Sequence, residues 1–385
     1  MIPYGRQDID ASDIADVVET LQSAFLTQGP AVEAFEAAVA RYVGAEHAVS
    51  ANSATSALHI ACLALGVGPG DLVWTTPNTF VASANCARLC GADVDFVDID
   101  PDTLNMCPER LAEKLAEAEK TGRLPKVVIP VHFSGRSANM RAIGALREKY
   151  GFAIIEDASH AIGGRYENAP VGGCAHSEIA VFSFHPVKIV TSGEGGMATT
   201  NDAALAEAMQ LYRSHGVTRD PKFMQGPPDG PWSYQMVGLG LNYRLTDIQA
   251  TLGSAQMRRL DAFVERRNVL AGQYRKLLAE RPVILPPPVS DGISAWHIYV
   301  IELEPKRAVV NRLDAYNGLR ARGIGVNVHY YPVHLQPYYR ALGFKPGDFP
   351  HSEAYYDRAL TIPLFAAMTD AEQLTVASAL QEVLG

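Results

Sequence analysis

Positive charge is in short supply in this chain. Its 33 Lys and Arg face 42 Asp and Glu, a net charge of -9, and no basic run occurs. Nucleic-acid phosphates need clustered cations, so a nucleic-acid partner is not expected. Cysteine is also sparse. Cys62, Cys86, Cys90, Cys107 and Cys174 include no C-x-x-C pair and no nearby His cluster at metal spacing, and they read as reduced, mostly buried thiols. An export signal is not expected, because M-I-P-Y-G-R-Q-D-I-D carries acids where a secretory leader has a basic end and an apolar core. A cytoplasmic location is therefore expected. Long apolar runs are absent as well. The longest uncharged stretch, Ala48 to Gly70, is interrupted by Asn52, Ser53, Thr55, Ser56 and His59. Its helix would reach about 17 Å, against the ~30 Å of a membrane's hydrocarbon core. No P-loop motif is found, and no G-x-G-x-x-G follows a strand, so both common phosphate-loop readings lack their signature.

What is present is the composition of an ordinary globular protein, 48% hydrophobic and 19% charged, with 385 residues. That is enough for two domains at ~100 to 200 residues each. Apolar strand-like runs alternate with helical patterns from Ala48 to about residue 214. Such alternation predicts an α/β fold with a large, mostly parallel sheet covered by helices on both faces. A helix near residues 12 to 24 is expected to be capped by Ser12. Asp220 to Trp232 is rich in Pro and Gly and predicts a long surface loop. Helical periodicity then runs from Thr246 to Glu280, about 50 Å if unbroken. Beyond it the pattern turns α+β, with a strand at Trp296 to Leu303, a helix at Arg307 to Arg322, a strand at Gly325 to Tyr330 and a helix opened by a Thr369/Glu372 capping box. The expected division is a large domain over 1–245 and a smaller α+β domain over 246–385.

Three places in this pattern carry chemistry. The turn after Ala48 to Ala51 leads into a helix whose free N–H groups and hydroxyls, at Ala54, Thr55 and Ser56, suit an anion. Asp157 ends the apolar run Phe152 to Ile155, and Glu156 points to the opposite face. Lys188 emerges from the run Ile179 to Phe184 into the glycine turn S-G-E-G-G. A lysine held at a strand end away from water can act as a nucleophile. Each feature alone has a bland reading as a cap or a solvated loop residue. Together they match what pyridoxal 5'-phosphate requires: a phosphate cradle, an acid for the pyridine nitrogen and a lysine for the Schiff base. Phe80 could stack on a planar ring in that place. Near the end, V-H-Y-Y-P-V-H-L-Q-P-Y-Y-R gathers His329, Tyr330, Tyr331 and His334. Zinc is the rival reading there, but no acid or cysteine stands close in sequence.

The blocks N-S-A-T-S-A-L-H, I-I-E-D-A-S-H-A-I-G, F-S-F-H-P-V-K with S-G-E-G-G, and G-L-N-Y-R-L-T-D-I-Q-A occur in this order. With them the chain resembles the nucleotide-sugar aminotransferases, a branch of the fold type I, aspartate aminotransferase-like enzymes. The resemblance runs over nearly the whole chain. I-P-Y-G-R-Q, W-T-T-P-N-T-F-V-A-S-A-N-C-A and Y-P-V-H-L-Q-P-Y-Y-R are most similar to the branch serving pseudaminic acid biosynthesis. The resemblance implies that Lys188 carries pyridoxal phosphate and Asp157 pairs with its ring nitrogen. It also implies that Ala54, Thr55 and Ser183 bind the phosphate, that Phe80 stacks on the ring, and that His160, where many relatives have Gln, lies near the ring hydroxyl. Asn242 would reach the phosphate of a partner subunit in a homodimer with shared sites. His329 and Tyr331 are candidates for the sugar side, with a UDP-4-keto sugar and L-glutamate as substrates. Related dehydratases lack the Schiff-base lysine, which Lys188 argues against. A cofactor-binding regulator without turnover is the remaining alternative.

Overall fold

The computed structural model describes residues 1–385. Seven strands form the main sheet: β1 (His47–Ala51), β2 (Leu72–Thr75), β3 (Asp93–Phe96), β4 (Val127–Val128), β5 (Ala153–Asp157), β6 (Ile179–Ser183) and β7 (Gly196–Thr200). Their spatial order is β1-β7-β6-β5-β4-β2-β3. Pairing is parallel from β6 through β3, while β7 runs antiparallel to both its neighbours. Every residue of β6 is buried, as expected of a strand covered on both faces. The alternating pattern thus predicts the architecture correctly, and the parallel strands end along one edge.

Helix ends follow local capping chemistry. Ser53 caps the Ala54–Ala64 helix by accepting from Ser56 N, and Thr369 and Glu372 form the expected capping box. At the first helix, Ala11–Gln22, the cap is Asp10 in place of Ser12: its carboxylate accepts from Ser12 N and Asp13 N, and Asp13 reciprocates. A carboxylate offering two acceptors to the orphan N–H groups outcompetes the nearby hydroxyl.

The long helical pattern is two helices, Asp247–Met257 and Leu260–Leu277. The break falls at Arg258 and Arg259. Arg259 has left helical geometry and is drawn into ion pairs with Asp8, Asp10 and Asp13. The second helix, with 18 residues, is about 27 Å long. It packs Leu270 and Tyr274 into a core with Leu360, Phe365, Val376 and Leu380, beside a three-stranded antiparallel sheet of Val283–Ile284, Tyr299–Leu303 and Ala359–Ile362. The helix expected from Arg307 begins at Arg312, where Asn311 accepts from Asp314 N. The expected strand Gly325 to Tyr330 does not form. Only Asn327 pairs, with Thr361, and the rest of the segment runs irregularly past the ends of the main sheet. No helix is long and apolar enough to cross a membrane.

Candidate active site

A cavity of about 780 Å³ opens where β5 and β6 end, and it takes in residues from both halves of the chain. Its floor follows from local sequence. β6 ends at Ser183, and the chain turns through His185-Pro186-Val187 so that Lys188 N donates to His185 O at 2.9 Å. The turn is locked behind the lysine: Ser192 N and Thr191 Oγ1 both donate to Phe184 O, at 3.0 and 3.1 Å. Lys188 Nζ is delivered into the cavity. Burial brings its pKa down from 10.5 to about 8, and the Asp157 carboxylate opposes the shift. The amine therefore gives up its proton far more readily than a free lysine, which favours its use as a nucleophile.

Asp157 ends β5, in register with Val181 of β6. Its Oδ2 accepts from Ser83 Oγ at 2.6 Å and its Oδ1 from Ser159 N at 3.1 Å. The carboxylate is thus fixed at the cavity wall. Glu156 points the other way, as expected, and is bound by His132 Nε2 at 2.6 Å and by Ser177.

The anion-ready helix start also faces the cavity. Ala54, Thr55 and Ser183 all line it, and neither the Thr55 nor the Ser183 hydroxyl is engaged elsewhere in the chain. Gly196, paired with Ser183, lets β7 approach this helix start: a Cβ there would lie 2.6 Å from Ala54 N and 2.4 Å from Ser53 O. Phe80 is 58% exposed and stands at the mouth, its ring 6.3 Å from that of Tyr330.

His160 is buried and lines the cavity. Its Nδ1 accepts from Ser134 N at 3.3 Å and its Nε2 lies 3.0 Å from Tyr330 Oη. Burial, then the charge of Lys188, holds its pKa well below the ordinary value, so the ring is neutral. With Nδ1 accepting, Nε2–H donates to Tyr330 and leaves the phenol O–H free for the cavity.

His329 also lines the cavity; its Nδ1 is 2.7 Å from Thr361 Oγ1, and burial lowers its pKa to about 3. Tyr331 does not share that position. It is 42% exposed, outside the cavity, with its ring 5.2 Å from Tyr356, and the preceding Tyr330 faces inward instead. Asn242 is exposed and outside the cavity of its own chain; its carbonyl accepts from Asn52 Nδ2 at 3.4 Å. His334, the other half of the zinc reading, pairs with Glu353 at 2.9 Å away from the cavity. His185 and Glu194 reach the rim, 4.0 Å from each other.

Sequence reasoning missed Ser83, His297 and Tyr330 as part of this site. Ser83 lies within a small-residue helix, and His297 within a run that reads as strand core, so neither carries a local signal. Tyr330 was in view beside His329, but which tyrosine turns inward is not a matter of spacing.

Residues 7–381 match the model of the DegT/DnrJ/EryC1/StrS aminotransferase family. The chain belongs to that family. It is a sugar aminotransferase of the pyridoxal-phosphate-dependent fold type I class. Similar proteins include the spore coat polysaccharide biosynthesis protein SpsC of Bacillus subtilis, 39% identical over all of this chain and 97% of the relative. PseC of Helicobacter pylori, an aminotransferase involved in the biosynthesis of pseudoaminic acid, superposes with a TM-score of 0.91 at 28% identity, covering 100% of this chain and 99% of PseC. The putative sugar aminotransferase Spr1654 of Streptococcus pneumoniae, in its PMP form, superposes with a TM-score of 0.89 at 29% identity over the full length of both.

The residues present fit the cofactor. Unengaged hydroxyls and a helix start suit its phosphate, the fixed Asp157 carboxylate suits a protonated ring nitrogen, and the Lys188 amine is available for the aldehyde.

Proposed function

We propose that this aminotransferase moves the amine of L-glutamate to C4 of a UDP-4-keto-6-deoxy-N-acetylhexosamine, UDP-2-acetamido-2,6-dideoxy-β-L-arabino-hex-4-ulose, in pseudaminic acid biosynthesis. The observation that carries the aminotransfer is the buried Lys188 amine and the Asp157 carboxylate sharing one cavity with the open helix start at Ala54 and Thr55. The sugar assignment is supported by the sequence blocks named above and by the full-length likeness to PseC.

When bound, pyridoxal phosphate supplies the electron sink that acidifies the carbon–hydrogen bond beside the amine. Asp157 would keep the ring nitrogen protonated, and Ser83 and Ser159 N hold the carboxylate in place for that task. Ala54 N, Thr55 and Ser183 would hold the phosphate, and Phe80, at the mouth, would cover the ring and exclude water. Lys188 Nζ would act as the general base that accepts the proton from the donor's α-carbon and, in the second half-reaction, as the general acid that delivers a proton to C4 of the sugar. His329 and Tyr330 face the remaining space, where the sugar would lie, and Tyr331 stands outside it. Asn242, unused by its own cavity, serves the phosphate of a partner subunit in a homodimer. The larger body over 1–245 carries the cofactor, the smaller over 246–385 closes the cavity, and the protein works in the cytoplasm.

The test is a panel of UDP-4-keto sugars, the 4-keto-arabinose included, with glutamate as donor and each product identified by mass and NMR. Best turnover with the L-arabino-configured substrate supports the assignment. Better turnover of another sugar overturns it, and borohydride treatment that leaves no phosphopyridoxyl label on Lys188 overturns the role of that lysine.

A further inference from the structure

We propose that His297 is a positioning residue that receives a hydrogen bond from Lys188 and holds the lysine amine aimed into the cavity. The inference rests on the aminotransferase chemistry of the site and not on which sugar is used.

The imidazole is 3% exposed, and its Nε2 lies 3.5 Å from Lys188 Nζ. Its Nδ1 is buried and has no partner in the chain. The reactive amine is therefore the ring's one hydrogen-bond partner; the His160 ring packs beside the imidazole with centroids 4.4 Å apart. A histidine kept for packing or stability would satisfy its buried nitrogens on the main chain, because an unmatched one costs about 1–3 kcal/mol.

The backbone that carries His297 is held from three sides. Arg267, a fully buried guanidinium, donates to the carbonyls of Trp296, His297 and Leu364 at 3.0, 3.2 and 3.1 Å. His297 N donates to Ser134 O at 3.0 Å, and Trp296 occupies the left-handed region with φ +48. Burying a guanidinium and straining a tryptophan are costs that the fold accepts to keep one imidazole in place.

The groups around Lys188 keep that imidazole neutral. Burial, then the positive charge of Lys188, then His160, Arg267 and His329 all hold its pKa well below the ordinary value. Asp157, from β5, is the one carboxylate acting on Lys188. A neutral Nε2 accepts one amine N–H, and the lone pair of Nζ is then left for the cavity. The same bond favours the ammonium form and offsets part of the burial that lowers the lysine pKa.

The first measurement needs neither cofactor nor substrate. Cofactor-free, full-length protein is labelled with trace acetic anhydride across a pH series, and the Lys188 peptide is quantified by mass spectrometry. Wild type should show an inflection near 8, and His297→Phe should lower it by about half a unit. His297→Gln, which restores an acceptor, should return it to the wild-type value. In the loaded enzyme, His297→Phe should cut kcat about tenfold with KM for both substrates unchanged within twofold, and Gln should recover most of the loss. If Phe does not fold, His297→Asn, too short to reach Nζ, provides the same contrast with Gln. An inflection identical in wild type and the acceptor-less variant, or a loss confined to KM, overturns the proposal. The labelling result stands whichever sugar the enzyme uses.

Discussion

The cavity has two walls built by different means. One is made of strand ends and a helix start: Thr55, Asp157, Ser183 and Lys188 each follow directly from a regular element. The other, made of His297, His329 and Tyr330, comes from irregular chain beside the smaller sheet, held by long-range bonds such as Arg267 to Leu364 O and Tyr355 Oη to His329 O. The first wall presents a carboxylate, a nucleophilic amine and two free hydroxyls. The second presents neutral imidazoles and a phenol, because burial lowers the pKa of His329 and His297 and raises that of Tyr330. The difference suggests a division of labour: bond-making at the strand ends, and orientation and acceptance of hydrogen bonds across the gap.

The sharpest break of this comparison is Lys188→Ala. It should reduce transamination by roughly 10⁴-fold or more, since no other amine lines the cavity; steady-state kinetics with glutamate and a keto sugar measure it. Asp157→Asn should come next, with kcat lower by about 10²- to 10³-fold. Its melting temperature should stay close to wild type, because the amide oxygen can still accept from Ser159 N while the amide NH2 donates to the Ser83 hydroxyl. A fall in stability comparable to the fall in rate would erase the distinction between the chemical wall and a structural one.

Two smaller effects sharpen the boundary. Ser83→Ala removes the 2.6 Å bond to Asp157 Oδ2. It should lower kcat about 10- to 150-fold, corresponding to about 1.5–3 kcal/mol for a hydrogen bond to a charged group. Tyr330→Phe removes the partner of His160 Nε2. It should raise KM for the sugar a few-fold with kcat nearly unchanged, and lower stability by about 1 kcal/mol, read by urea denaturation. A Tyr330→Phe variant that lost kcat as heavily as Asp157→Asn would move the phenol from the orienting wall to the chemical one.

Much of the first wall was legible in the chain. An apolar run four to six residues long that ends in an acid or in a glycine turn reads as a buried strand delivering that group to a sheet edge, and Asp157 and Lys188 lie there. The helix start at Ala54 was legible from small polar residues preceding an apolar helix. The misreadings have two causes. Ser12 lost the cap to Asp10, two residues earlier, because a carboxylate is the better local acceptor, whereas the helical run beyond Thr246 broke at Arg259, which is drawn to Asp8, Asp10 and Asp13 far back in the chain.

The sequence by itself determined the strand–helix alternation, the edge on which the chemistry collects, and the three groups that suit the cofactor. It could do so because strand alternation and capping act over a few residues. The tertiary structure alone decided that His297 sits opposite Lys188, 109 positions away in the chain, that Ser83 fixes Asp157, and that Tyr330 rather than Tyr331 turns inward. Those choices are made by tertiary packing, where the deciding contacts join residues that no local periodicity relates.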